Sequence, residues 1–135
     1  MTASEIAVTI GGSLTLLMGV FHTTFPKRFS WAVDFAKVSQ TNARVHYTIH
    51  LALLILFLLL GTLTILFRAE MASGQGLGAA LTLAMGLFWG WRAVWRLLYF
   101  RPPSGPSGAA RRRLHAAVTC HFGLTCLAYL ATLVL

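Results

Sequence analysis

Acid is what this chain lacks. Glu5, Asp34 and Glu70 are the only three acidic residues among 135, and all three fall outside the long apolar runs. Di-iron chemistry of the carboxylate type, which needs several Glu side chains projecting into a bundle, is disfavoured on that ground. Charge of either sign is scarce. Only 10% of residues are charged, against roughly 25% in a soluble domain. So few charges cannot cover the surface of a water-soluble globule, and lipid must cover much of it instead.

Cysteine is limited to Cys120 and Cys126. On a helix that step is about 9 Å of rise and turns the two side chains to different faces. A disulfide needs Cα atoms within about 7 Å, so both read as free thiols. No phosphate-binding loop, Ser/His/Asp set or zinc-ribbon cysteine pattern is present. The first apolar stretch follows "MTASE", with no basic segment before it and no small-residue cleavage site after it. It is expected to stay as a membrane span and not to be cleaved as a signal peptide.

What the chain does have is apolar sequence, 57% of its residues. A helical span needs about 20 mostly apolar residues, and four segments qualify: Ile6–Phe25, Val45–Phe67, about Leu77–Phe100, and Leu114–Leu135. Each must be helical, because a backbone facing lipid has to satisfy its own hydrogen bonds. The expected fold is an all-α, integral membrane, four-helix up-down bundle forming one domain. Between the spans, "FPKRFSWAVDFAKV" reads as a short interfacial helix, with Phe29, Val33 and Trp31 or Phe35 dipping into lipid. Residues 68–76 read as a tight loop. Residues 101–113, "RPPSGPSGAARRR", read as a linker with a basic end.

The net charge of +8 points to membrane topology more than to nucleic acid, because of where the cations lie. Lys27, Arg28, Lys37 and Arg44 occupy the first connection. Arg101 and Arg111 to Arg113 occupy the third. Asp34 is the single acid in either. The positive-inside rule puts both basic connections in the cytoplasm and both termini outside, as in a bacterial inner membrane. The Arg111–Arg113 run is also placed to touch anionic lipid.

Five histidines lie toward that basic end. Two stand one turn apart in "ARVHYTIH", at the mouth of the most apolar run. At 1.5 Å per residue, His22, His50 and His121 fall roughly 7–12 Å below their flanking basic residues, at a level they could share. His46 lies about one turn nearer the surface, and His115 nearer still. At about 100° per residue, His22 shares a stripe with Gly12, Thr15 and Gly19. His50 shares one with His46, Phe57, Gly61 and Thr64. His121 shares one with Ala117, Thr125, Ala128 and Thr132. Small and hydroxylated residues mark helix contacts in membranes, so the three rings are expected to point inward.

Arg92 and Arg96 stand in "FWGWRAVWRLLYF" without a carboxylate in any span. Isolated charge at depth costs about 2.5–3.5 kcal/mol on insertion scales. Arg96 can snorkel to the interface with Tyr99. The deeper Arg92 calls for a backbone carbonyl, a lipid phosphate or the acid group of a cofactor. Its face carries Leu81, Met85, Phe88 and Trp89, while Gly86 and Gly90 point the other way. Trp89, Trp91 and Trp95 read as an interfacial belt, although their faces suit a quinone pocket as well.

Two functional classes follow. In the first, the cytoplasmic half of the bundle holds a haem b or a single metal ion for electron transfer, with quinone as a possible partner. His22, His50 and His121 are the ligand candidates, two of them axial for a haem. His46 is an alternate metal ligand, and Arg92 and Arg96 meet propionates or another anion. Three histidines around one ion would suit Cu or Zn, and Met18 and Met85 would favour Cu(I). In the second class the chain is a non-catalytic membrane subunit that docks a larger complex or oligomer, and its histidines make interhelical hydrogen bonds. A small transporter ranks last, since "LALLILFLLL" offers no polar path.

Overall fold

The computed structural model describes residues 1–100 and 108–135. Four long helices account for the four apolar runs: α1 (Ala3–His22), α4 (Gln40–Leu66), α6 (Gly76–Tyr99) and α7 (Ala109–Ala131). All four have the length and hydropathy of a membrane span. The chain is an integral membrane protein built as a four-helix bundle. Between the long helices lie three short ones: α2 (Phe25–Arg28), α3 (Trp31–Phe35) and α5 (Arg68–Met71).

Side-chain register fixes the directions. Down α1, Gly12 faces Thr64 and Gly19 faces Leu58, so α1 and α4 run antiparallel. Gly86 faces Leu130 and Gly90 faces Cys126, so α6 and α7 do the same. The two hairpins join where Gly11 of α1 meets the ring of Tyr129 on α7. The result is an up-down bundle. The C-terminal ends of α1 and α6 share one end with the N-terminal ends of α4 and α7.

Helix boundaries depart from the expected spans for local reasons. Helix α1 begins at Ala3, three residues early, because Thr2 and Glu5 form a reciprocal capping box. It ends at His22. The hydroxyls of Thr23 and Thr24 turn back onto the carbonyls of Val20 and Phe21, and Pro26 then opens α2. Helix α4 starts five residues before Val45, because the Ser39 hydroxyl caps the amide of Asn42. Helix α7 starts at Ala109, so Arg111 to Arg113 form its first turns and not the end of a linker. It stops at Ala131, short of Leu135. Arg101, with the linker through residue 107, lies outside the described residues. The expected loop at 68–76 contains α5, whose Met71 is buried and whose carbonyl accepts a bond from Thr82.

The expected interfacial helix is broken in two at Ser30, which adopts the left-handed conformation with φ 51°. That break turns Trp31 and Phe35 inward against α4, where both meet His46 and Tyr47. Phe29 and Val33 stay exposed, so α2 and α3 form a short strap across the basic end.

Packing follows the small-residue stripes. A methyl group on Gly61 would lie 2.7 Å from Leu16 Cγ and 2.9 Å from the Gly12 carbonyl oxygen, so α1 and α4 cross where only glycine fits. Three helices meet at Tyr129. Its hydroxyl lies 3.2 Å from both the Thr15 and the Thr64 hydroxyl, with all three residues buried.

Candidate functional site at the basic end

A cavity of about 460 Å³ opens at the end of the bundle that carries the basic segments. The size is within the range of small-molecule and cofactor sites. Its polar wall consists of His22, His46, His50, Arg92 and Arg96; the rest is largely aromatic, including Phe25, Trp31, Trp95 and Phe122. Among the described residues no carboxylate lines it.

Each imidazole is held differently. His22 closes α1 and is almost fully buried. Its Nδ1 sits 2.8 Å from the carbonyl of Met18, one turn back. A carbonyl can only accept, so Nδ1 carries the proton and the neutral ring keeps a bare Nε2. His50 comes from α4 and does the reverse. Its Nε2 lies 2.9 Å from the His22 carbonyl, which leaves Nδ1 as its bare nitrogen. The two rings stack with centroids 5.3 Å apart and planes 21° apart. Phe25 of the strap covers the pair, 4.4 Å from His22 and 5.4 Å from His50. Trp31 sets its ring edge-to-face with both His46 and His50, at 4.7 and 4.6 Å.

His121 is not part of this group. It points inward, half-buried, but the space between it and His22 is filled by two rings. Phe57 lies 5.1 Å from His22, Trp89 stacks on Phe57 at 5.3 Å, and His121 meets Trp89 at 6.0 Å. His121 borders instead a second, more apolar groove of about 240 Å³ between α1 and α7. The shared level expected for three histidines therefore exists as a row of aromatic contacts and not as one void. A single ion held by His22, His50 and His121 together is not assembled in this arrangement. Among the described residues no three His, Cys, Asp or Glu side chains gather as a metal-ion set. Met18 lines the main cavity, while Met85 belongs to the packed core.

The arginines reach the cavity from α6, one turn apart. The guanidinium of Arg92 lies over the Phe122 ring at 5.0 Å, and that of Arg96 lies 5.9 Å from Phe100. Arg96 Nε makes a long contact of 3.5 Å to the His115 carbonyl. Arg92 Nε is buried with no partner among the described residues. The inward face of α6 is now clear: Thr82, Met85, Gly86 and Trp89 are buried. Trp89 is core, contrary to a belt of three tryptophans, because its neighbour Gly86 lets α7 come close. Trp91 and Trp95 stay exposed, and a stacked row runs from Trp91 through Trp95 to Tyr99.

Sequence reasoning found the strap as an interfacial segment but missed its inward turn onto the histidines. Phe25 and Trp31 are as close to the histidines as any helix residue. Pro26 and the aromatic spacing signalled an interfacial segment, but nothing in them signalled the turn at Ser30.

No family model matches the chain, and neither a curated protein nor a solved structure is significantly similar to it.

Proposed function

We propose that the protein holds a b-type haem in the cavity at its basic end, with His22 as the iron ligand, and serves electron transfer in the membrane. One observation carries this reading. His22 donates Nδ1–H to a backbone carbonyl one turn back, which leaves Nε2 as its deprotonated nitrogen, and the residue lines a largely aromatic cavity. Ligating histidines are oriented by a bond of this kind from their other ring nitrogen. Arg92 and Arg96 suit propionates, and Phe25, Trp31 and Trp95 suit a flat macrocycle. His50 is the second ligand candidate, but its outer nitrogen Nε2 is engaged by the His22 carbonyl. His46, nearer the mouth, and His121, behind Trp89, are poorer candidates. When bound, the haem would supply one-electron redox chemistry. The chain's own residues would bind it, orient it and exclude water. Quinone is the partner class such a role calls for. A lone Cu or Zn ion is the lesser alternative. We place the basic end in the cytoplasm of a bacterial inner membrane, with both termini outside.

The test is absorbance of the purified protein in detergent, oxidised and then reduced with dithionite. A Soret band that shifts on reduction, and that His22→Ala removes, is the expected result. Absence of a Soret band after expression in haem-replete cells and after titration with hemin would overturn the haem. Elemental analysis free of Cu and Zn would remove the metal-ion version as well.

A second reading has its own observation. His50 fastens α4 to the end of α1 through the His22 carbonyl, as an interhelical hydrogen-bonding residue of a non-catalytic subunit would. In that case the chain docks a larger membrane complex. Replacing His22 and His121 by Gln would then leave assembly and expression intact.

A further inference from the structure

Two positive side chains share one membrane-embedded cavity. Arg92 and Arg96 both line it, and among the described residues no acidic side chain does. Among the described residues the ion pairs are Met1 with Glu5 and Lys37 with Asp34. The first is at the opposite end of α1, and the second is exposed on the strap. Among the described residues the arginines contact ring faces and, for Arg96, a carbonyl through one long bond. Two guanidiniums one turn apart on a helix repel each other. Each is a rigid fork that matches a carboxylate or phosphate with paired hydrogen bonds. The rest of the wall is aromatic and aliphatic. The strap covers the histidine side of the cavity, while Trp95 and Phe100 bring its arginine side to the lipid-facing surface of α6.

We infer that Arg92 and Arg96 form an anion-recognition pair that selects a ligand with an oxyacid group on an apolar body. The ligand's acid group lies between the two guanidiniums, and its apolar body fills the aromatic part of the cavity. The inference does not rest on iron. A haem propionate, a long-chain carboxylate and a lipid phosphate share the recognised chemistry.

The experiment uses the full chain purified in a neutral detergent, with the fluorescent polyene acid cis-parinaric acid as the probe. Saturable binding is expected, displaced by oleate and not by oleyl alcohol, which has the same chain without the acid. Displacement by lysophosphatidic acid, set beside lysophosphatidylcholine, tells whether a phosphate monoester serves better than a carboxylate. Either preference is consistent with the pair. Arg92→Gln with Arg96→Gln should weaken binding at least tenfold, and Arg92→Lys with Arg96→Lys should weaken it less. Circular dichroism on each variant confirms folding. Probe binding and the Soret band are read separately on the same purified protein: saturable probe binding without a Soret band overturns the haem and leaves the pair, and a Soret band without saturable probe binding does the reverse. The pair is overturned if there is no saturable binding, if oleyl alcohol competes as well as oleate, or if the folded Gln variant binds as tightly as the unchanged protein.

Discussion

Nε2 of His50 donates to the carbonyl oxygen of His22 across 2.9 Å. That carbonyl is the last of α1 and has no partner within its own helix. The bond therefore does two things at once: it satisfies an orphan acceptor in apolar surroundings, and it fixes the end of one span against the start of the next. His50→Phe keeps the ring and removes the donor. Leaving a buried acceptor unmade costs about 1–3 kcal/mol. Thermal unfolding in micelles, followed by circular dichroism, should show a lower midpoint. An unchanged midpoint would mean that the bond adds nothing.

Tyr129 ties α7 to α1 and α4 through Thr15 and Thr64. Interhelical bonds of this kind average about 0.6 kcal/mol and reach about 1.7 kcal/mol. Tyr129→Phe should destabilise by an amount in that range. Thr64→Val added to it should cost less than the sum of the two single changes, because they share one bond. Additive losses in a double-mutant cycle would show that the hydroxyls act independently.

Gly61 and Gly123 make a matched pair of tests. A methyl at Gly61 meets Leu16 and the Gly12 backbone, whereas at Gly123 it meets nothing within 4 Å. Gly61→Ala should destabilise by about 1–3 kcal/mol through overpacking. Gly123→Ala should be neutral or gain up to about 1 kcal/mol from helix propensity. Equal effects at the two sites, read by unfolding in the same detergent, would contradict the crossing described for α1 and α4.

Trp89 is fully buried between Phe57 and His121. Trp89→Ala should cost about 3–5 kcal/mol, as large core truncations do. Trp89→Phe should cost less, since a ring remains to stack on Phe57. A Trp89→Ala protein as stable as the parent, by the same melt, would show that the row of rings is not packed as described.

Several features were legible from one dimension because they depend on short-range rules. The four spans follow from run length and the absence of charge, and the inward stripes of α1 and α4 follow from helical period. Gly12, Thr15, Gly19 and His22 are all buried together, as are Phe57, Gly61 and Thr64, whereas on the same α4 stripe His50 is half-buried and His46 exposed. The face of α6 was harder to read, because Arg92 and the glycines pulled in opposite directions. Met85, Gly86 and Trp89 are all buried, so the inward arc takes in the edges of both stripes.

The sequence alone determined that this protein lives in lipid as four helices, with its cations and histidines gathered toward one end. Hydropathy, helical rise and charge placement act residue by residue and need no partner. Only the tertiary structure decided which of those histidines share a space. A common depth is a statement about rise along separate axes. A common cavity depends on what packs between the axes, and here Phe57 and Trp89 fill the gap before His121 can reach His22. The same holds for the strap, whose left-handed turn at Ser30 places Trp31 over His46 and His50. Side-chain volume and a single backbone dihedral made that choice, and neither is written in the spacing of residues along the chain.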